Sequence, residues 1–156
     1  MSDSRDFLRP WIQVPPEGDP SGDAWFDATL ATDGDSRYEK LLVCSPGGDV
    51  MGAINFNEIV RGAFHSAYLG YWIGARYARQ GVMTQAVALA LRHGFSGLRL
   101  HRVEANLLPE NAGSKALVKK LGFVKEGFSR RYLRIGERWR DHERWALTVE
   151  DWRERP

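Results

Sequence analysis

Few places in this chain could carry chemistry. The stretch "ARYARQGVMTQAVALALRHGF", from Ala75 to Phe95, holds a glycine, Gly81, at the point where a loop turns into a helix. A helix start collects N–H groups with no intrahelical partner, and the aligned peptide dipoles add positive potential there. A glycine just ahead lets the backbone approach a pyrophosphate with no Cβ between them. Most glycines in such places only turn or cap the chain, so "RQGVMT" alone leaves both readings open. The other reactive residue types are dispersed. His65, His93, His101 and His142 fall on loop, helix, strand and hairpin without ligand spacing, so no metal is assigned. Cys44 is the only cysteine, which excludes an internal disulfide or thiolate zinc cluster and suits a reducing compartment. It follows Leu41–Val43 in an apolar strand and reads as core filler.

The chain around these residues has 156 residues, 43% hydrophobic and 27% charged, which suits one globular domain over 1–156 with a sizeable core. No apolar run approaches the roughly 18 residues of a membrane span, and Met1–Arg9 lacks a signal-peptide layout, so a cytoplasmic protein is expected. The net charge of +2 hides an asymmetry, because residues 1–40 carry nine acids against four bases. Arg130–Trp145 superficially resembles a nucleic-acid face of arginines and aromatics. Glu137, Asp141 and Glu143 interrupt it, however, and the pattern suits a strand pair with solvated faces. Nucleic acid is therefore not expected as the primary ligand.

Residues 1–22, rich in Pro, Gly and Asp, read as an irregular arm, followed by a short helix over Asp23–Ala31 with Trp25, Phe26 and Leu30 as its apolar contacts. Tyr38–Val43 and Val50–Val60 bracket the turn signal "SPGGD" as an antiparallel hairpin, and Ala67–Ile73 forms a further strand. The period then changes from two to 3.6. Met83, Val87, Leu91 and Phe95 make one face of an amphipathic helix. A strand, "LHRVEANLL", stops at Pro109, and Asn111 is placed to cap a second helix that runs through Lys120 and closes at Gly122. Lys125–Leu133 and Arg138–Thr148 form a last hairpin around "IGE". The order implies an α+β sheet, mostly antiparallel, with one crossover.

With these elements in place, "YLGYWIGARYARQGVMTQAV" and "HRVEANLLPENAGSKALVKKLGFVKEG" resemble the GNAT superfamily of acetyl-CoA-dependent N-acetyltransferases. "NFNEIVRGAFHSAYLGYWIG" and "GERWRDHERWALTVEDW" are similar to its RimJ/RimL-like branch, the ribosomal-protein alanine N-acetyltransferases. The similarity runs from about Asp6 to Trp152. It implies a twisted sheet with helices on both faces and a central pair of strands that splay apart at their ends. The pantetheine arm of acetyl-CoA would lie in the gap, bonded to the free strand edge at Tyr71, Trp72, Ile73 and Gly74. Its pyrophosphate would rest on backbone amides of Gln80, Gly81, Val82, Met83 and Thr84. The family loop reads Gln/Arg-x-x-Gly-x-Gly/Ala; here Ala78 and Met83 depart from it, which leaves the binding to the main chain. The Arg79 side chain reads equally as a phosphate contact or a solvated arginine.

Asn111 and Ser114 match the family's Asn-x-x-Ser. Asn111 would cap the helix and touch the cofactor arm. Ser114 is either first-turn filler or the hydroxyl that hands a proton to the leaving thiolate, since the position where many relatives carry a tyrosine is Val118 here. In the implied reaction a neutral amine attacks the thioester while both are held in one crevice. A backbone N–H near Ile73 would meet the developing oxyanion. An α-amine, with an ordinary pKa near ~8, asks little of a base and can lose its proton through water. The carboxylate best placed for that task is Glu104, which reads equally as a surface glutamate paired with Arg102 or Arg99. Asn106, two residues on, stands where some relatives have their glutamate, and Glu58 and Asp141 are weaker substitutes. His65 reads as a structural histidine near the gap entrance, or as a secondary proton shuttle there.

The resemblance also implies a strand and helix ahead of "FLRPW" that this sequence does not show. Either the start is displaced, or a short form leaves its first hairpin strand as an edge that invites a second copy, giving a homodimer. The leading expectation is acetyl transfer to a primary amine, a protein N-terminus such as that of a ribosomal protein. A small-molecule amine N-acetyltransferase and a non-catalytic acyl-CoA-binding module are the alternatives. The acidic first third would attract a basic acceptor.

Overall fold

The computed structural model describes residues 4–14 and 32–154. Six strands form one sheet: β1 (Glu39–Cys44), β2 (Val50–Val60), β3 (Ser66–Ile73), β4 (Arg102–Leu107), β5 (Val124–Ile135) and β6 (Arg138–Thr148). Their spatial order is β1-β2-β3-β4-β6-β5. The helices are α1 (Arg5–Leu8), α2 (Val82–Arg92), α3 (Ala112–Lys120) and α4 (Val149–Arg153). Every neighbouring pair is antiparallel except β3 and β4, which run parallel because α2 forms the crossover between them. The expected mixed, mostly antiparallel α+β sheet is present.

The parallel pair is short. Only Ser66–Arg102, Ala67–Val103 and Tyr68–Glu104 stand in register. Beyond Tyr68, β3 stays paired to β2 as far as Ile73 while β4 turns to β6, so the β3 edge over Leu69–Ile73 loses its β4 neighbour. This is the splay that positions the candidate site.

Directly paired residues share a face of the sheet. Ile54 pairs with Tyr71, Ala67 with Val103, and Ala105 with Trp145, which defines one face. The stripe Met83, Val87, Ala90 and Leu91 of α2 is buried on it, together with Val118 of α3. Regular α-helix ends at Arg92, and a π turn over His93–Gly97 carries the chain past Phe95. Gly94 there lies against Phe56, whose ring an added Cβ would meet at 3.0 Å. At the far end of α3, Gly122 takes φ 84°. Its N–H bonds to the Lys119 carbonyl and the Phe123 N–H to that of Val118, the left-handed glycine closure that the sequence signals.

Two expectations need correction. Cys44 is exposed rather than part of the core. Leu41–Cys44 is apolar throughout, but β1 is an edge strand: Val43 points to the core, while Leu42 and Cys44 share the opposite, exposed face. The arm is also not irregular throughout, because Arg5–Leu8 makes a helical turn that buries Leu8. Residues 15–22 of the arm and the expected helix over Asp23–Ala31 lie outside the described residues.

Candidate functional site

The chain leaves the splayed end of β3 through a tight path. The Gly74 N–H bonds to the Met51 carbonyl at 2.8 Å, and the Ala75 N–H donates to Ser4 Oγ at 2.9 Å. A 3-10 turn over Ala75–Tyr77 follows, and the chain then enters α2 at Gly81. Gly81 is left-handed, with φ 79° and ψ −7°, and among the described residues no side chain caps the helix. Glycine is favoured there by its backbone conformation alone, since a Cβ would meet nothing within 4 Å. Arg79, two residues earlier, also has a positive φ of 60°. The first N–H groups of α2 therefore face open space without intrahelical partners.

That space is a cavity of about 340 Å³. Tyr71, Trp72 and Ile73 of β3 line one side, and Arg79, Gly81, Val82, Met83 and Thr84 line the next. Asn111 and Ser114 close it from the start of α3. The splay, the loop and the two helix starts thus gather at one place nearly all the residues singled out above. Gln80 and Glu104 do not line the cavity. The Gln80 amide turns back to donate to the Arg76 carbonyl at 2.7 Å. Glu104 accepts from Arg102 Nε at 2.9 Å, and the same guanidinium also grips Glu126. Among the other carboxylates considered, Glu58 accepts from the Tyr38 hydroxyl at 2.6 Å and Asp141 from the Arg131 N–H at 2.7 Å.

At the head of α3, Asn111 Oδ1 accepts from the Ser114 N–H at 3.0 Å, the N-cap read from the sequence. Asn111→Ala should cost about 1 kcal/mol in a urea melt, and Asn111→Asp should recover most of it. Ser114 lies beside the phenol of Tyr71, and burial pushes that phenol up to about 12, with Ser114 opposing the shift. The pair does not meet the geometry of a hydrogen bond, and the buried Tyr71 hydroxyl has no partner among the described residues. Asn106 Oδ1, on β4, is orphaned in the same way.

His65 is not at the gap entrance. It precedes the N-terminal end of β3, whereas the strands part at their C-terminal ends. It lies in a separate cleft with Arg99 and His101, its Nδ1 3.2 Å from the Arg99 carbonyl. His142 is buried, with Nδ1 3.0 Å from the Arg140 carbonyl, and burial lowers its pKa. Among the described residues no group of three or more His, Cys, Asp or Glu could hold a metal, and no helix is long and apolar enough to cross a membrane.

Sequence reasoning missed one wall of the cavity. Phe7, Leu8, Trp11 and Ile12 line it from the arm. Their spacing at i, i+1, i+4 and i+5 is that of one helical face, a signal hidden by the surrounding Pro and Gly.

A family model described as an acetyltransferase (GNAT) domain matches residues 1–124. The ribosomal protein uS5-alanine N-acetyltransferase of Escherichia coli (strain K12) is 36% identical, over 97% of this chain and 80% of that protein. Mycobacterium smegmatis RimJ in complex with CoA-disulfide superposes with a TM-score of 0.85 at 30% identity, covering 94% of this chain and 73% of its own. The ribosomal-protein-S5-alanine acetyltransferase from Vibrio fischeri has a TM-score of 0.83 at 27% identity, covering 99% and 85% respectively.

Proposed function

The chain belongs to the acetyltransferase (GNAT) family, and we propose that, as one domain over 1–156, it transfers an acetyl group from acetyl-CoA to the N-terminal α-amine of a protein. The observation that carries this reading is the β3 edge over Leu69–Ile73, freed by the splay and opening on the uncapped start of α2. The residues present fit the cofactor. Free main-chain groups on β3 can pair with the amides of a pantetheine arm, as a further strand would. The N–H groups from Gly81 to Thr84 can hold a pyrophosphate without a Cβ in the way at Gly81. Arg79 adds charge on the same side, and Asn111 holds the facing helix start in place.

When bound, acetyl-CoA supplies an activated thioester carbonyl, and the protein holds an amine against it. Phe7, Leu8, Trp11 and Ile12 give the cavity an apolar wall that keeps water from the carbonyl. Ser114, which lines the cavity, would donate a hydrogen bond to the thioester sulfur. Glu104 is held by Arg102 and does not line the cavity, so its carboxylate is not placed to meet the amine. An α-amine with a pKa near ~8 needs no strong base, and its proton passes to water.

A protein acceptor is favoured by the 36% identity to an enzyme named for alanine acetylation of ribosomal protein uS5. The nine acids in residues 1–40 give the chain an acidic end for a basic acceptor. The test is thiol release from acetyl-CoA with basic peptides of varied first residue, with spermidine as a small-amine control. Peptides that begin with alanine should react, with the acetyl group found on the α-amine by mass spectrometry. Release with spermidine alone would replace the protein acceptor by a small amine. Binding of acetyl-CoA with no release for any acceptor would leave a binding module. Ser114→Ala should slow kcat roughly 10- to 100-fold, as expected for loss of a hydrogen bond to a developing charge, with little change in cofactor affinity. An unchanged kcat would remove Ser114 from the mechanism.

A further inference from the structure

Tyr71 enters the reading above only through its backbone, yet its side chain is among the most unusual groups in the protein. Tyr71 pairs with Ile54, which puts its ring on the helix-covered face of the sheet, toward the first turn of α3. There it meets Ser114, and both residues line the same cavity. Its hydroxyl is buried and has no partner among the described residues. A buried phenol without a partner is unfavourable, and a phenylalanine would fill the same space without that cost. The hydroxyl is thus a donor available to a group brought within its reach at the cavity.

We propose that Tyr71 is a positioning residue: with acetyl-CoA in place, its hydroxyl donates to Ser114 Oγ and turns the serine's own O–H toward the leaving sulfur. This rests on the acetyl-CoA reading of the site. A serine hydroxyl has one proton and rotates freely about its C–O bond. An O–H donor directed at its oxygen selects the rotamer that points the proton away, and each bond in such a chain polarises the next. Asn111 holds the Ser114 backbone through its N–H, so the hydroxyl rotor is what Tyr71 is left to set.

The phenol does not itself give up its proton. Burial pushes it up to about 12, well above the ordinary thiol value near ~8.5. It remains a hydrogen-bond donor across the working pH range. In the transfer the C–N bond forms, the C–S bond breaks and its electron pair goes to sulfur. One amine proton leaves to water and one proton ends on the thiol, while Tyr71 and Ser114 keep theirs. The two hydroxyls stabilise charge on sulfur and are not consumed.

The experiment reads the thiol of bound CoA, with no acceptor needed. Thiolate absorbance is followed through a pH titration of CoA complexes against matched desulfo-CoA complexes. Wild type, Tyr71→Phe, Ser114→Ala and the double variant are compared. Tyr77, Arg79 and Lys120, which also line the cavity, are unchanged in all four. The bound thiol should ionise about one pH unit lower in wild type than in Tyr71→Phe, tenfold in the ionisation constant. The double variant should match Ser114→Ala, since the phenol acts through the serine. In turnover, Tyr71→Phe should lower kcat about tenfold and change the KM for acetyl-CoA less than threefold. Tyr71→Phe removes an unpartnered oxygen and keeps the ring, so its thermal midpoint should equal or exceed that of wild type.

Identical thiol titrations in wild type and Tyr71→Phe would overturn the proposal. Independent, additive shifts from the two residues would overturn the link through Ser114. CoA that binds but supports no acetyl transfer would overturn the enzymatic reading alone, and the titration would still decide the role of Tyr71. CoA that does not bind wild type would overturn both.

Discussion

Gly52→Ala should destabilise the protein by roughly 3 kcal/mol, at the upper end of the usual cost of overpacking, and should impair CoA binding together with stability. A Cβ on Gly52 would stand 2.3 Å from the Trp72 carbonyl oxygen, 3.1 Å from Ile73 Cα and 3.2 Å from Met83 Cε. The methionine tip can swing aside at little cost. The carbonyl cannot, because Gly52 is paired with Ile73 and the next N–H, that of Gly74, is bonded to Met51. Relief requires β3 to move away from β2, into the gap left by its parting from β4. The same collision therefore weakens the sheet and narrows the site. For a chain of this length the thermal midpoint should fall by roughly 6–12 °C, and calorimetry with CoA on the folded variant should show a loss of affinity. Gly81→Ala is the contrasting case. It meets open space and pays only for its left-handed backbone, about 1 kcal/mol. A Gly52→Ala protein no less stable than Gly81→Ala would contradict the packing of β2 on β3 described above.

The second large effect is expected at Glu143. This carboxylate is only 9% exposed and stands on the helix-covered face of β6, opposite Leu107. It accepts from Lys125 Nζ at 2.8 Å and from the indole N–H of Trp145 at 3.1 Å, and Lys115 Nζ lies 3.9 Å away. Lys115 belongs to the turn of α3 that also carries Ser114, so Glu143 ties that turn to the sheet. Glu143→Ala should cost roughly 2–4 kcal/mol, because it strands a core indole N–H and removes the carboxylate that accepts from Lys125. Glu143→Gln should cost less, since an amide oxygen still accepts from Trp145.

Acid titration separates the two contributions. The hydrogen bond from Lys125, assisted by Trp145 and opposed by burial, holds the Glu143 carboxyl below its usual value. Its contribution is therefore complete above the unfolded-state value near ~4.3 and disappears as pH falls through the lower folded-state value. Wild type should lose stability over that acid range, and Glu143→Gln should lose less. Urea midpoints measured from pH 7 to pH 3 decide this; parallel curves would show that the charge of Glu143 contributes nothing. Lys125 is partly exposed, so added salt should reduce the difference.

Much of this protein is legible in one dimension because the signals are local. The period of α2 follows from Met83, Val87 and Leu91, and burial follows period when one face meets a sheet. Asn111 and Gly122 bracket α3 because capping is a matter of a few adjacent backbone groups. "SPGGD" and "IGE" mark turns for the same reason, and the strands on either side have nowhere to go but back. The order of these elements implies one crossover, and with it a parallel pair inside an otherwise antiparallel sheet.

What stayed hidden depends on contacts between segments distant in the chain. The apolar run Leu41–Cys44 carries no mark of which side faces out, and only the edge position of β1 turns Cys44 to solvent. Phe7, Leu8, Trp11 and Ile12 look like part of a loose arm until the cavity brings them together. His65 lies at the end of β3 away from the splay, because direction along that strand matters only once β4 lies parallel to it. Glu104 could serve equally as base or ion-pair partner until Arg102, two residues away on the same face, took its carboxylate.

The six strands, the helices α2 and α3, their order and the loop at Gly81 follow from local order alone, since each rests on backbone propensities and short-range hydrogen bonds. That β3 and β4 part after Tyr68 comes instead from long-range packing. So do the meeting of the freed edge with the start of α2 and the place of Tyr71 beside Ser114, its hydroxyl without a partner among the described residues. Those outcomes depend on the twist of the sheet and on packing between remote residues. Neither leaves a local trace in the order of side chains.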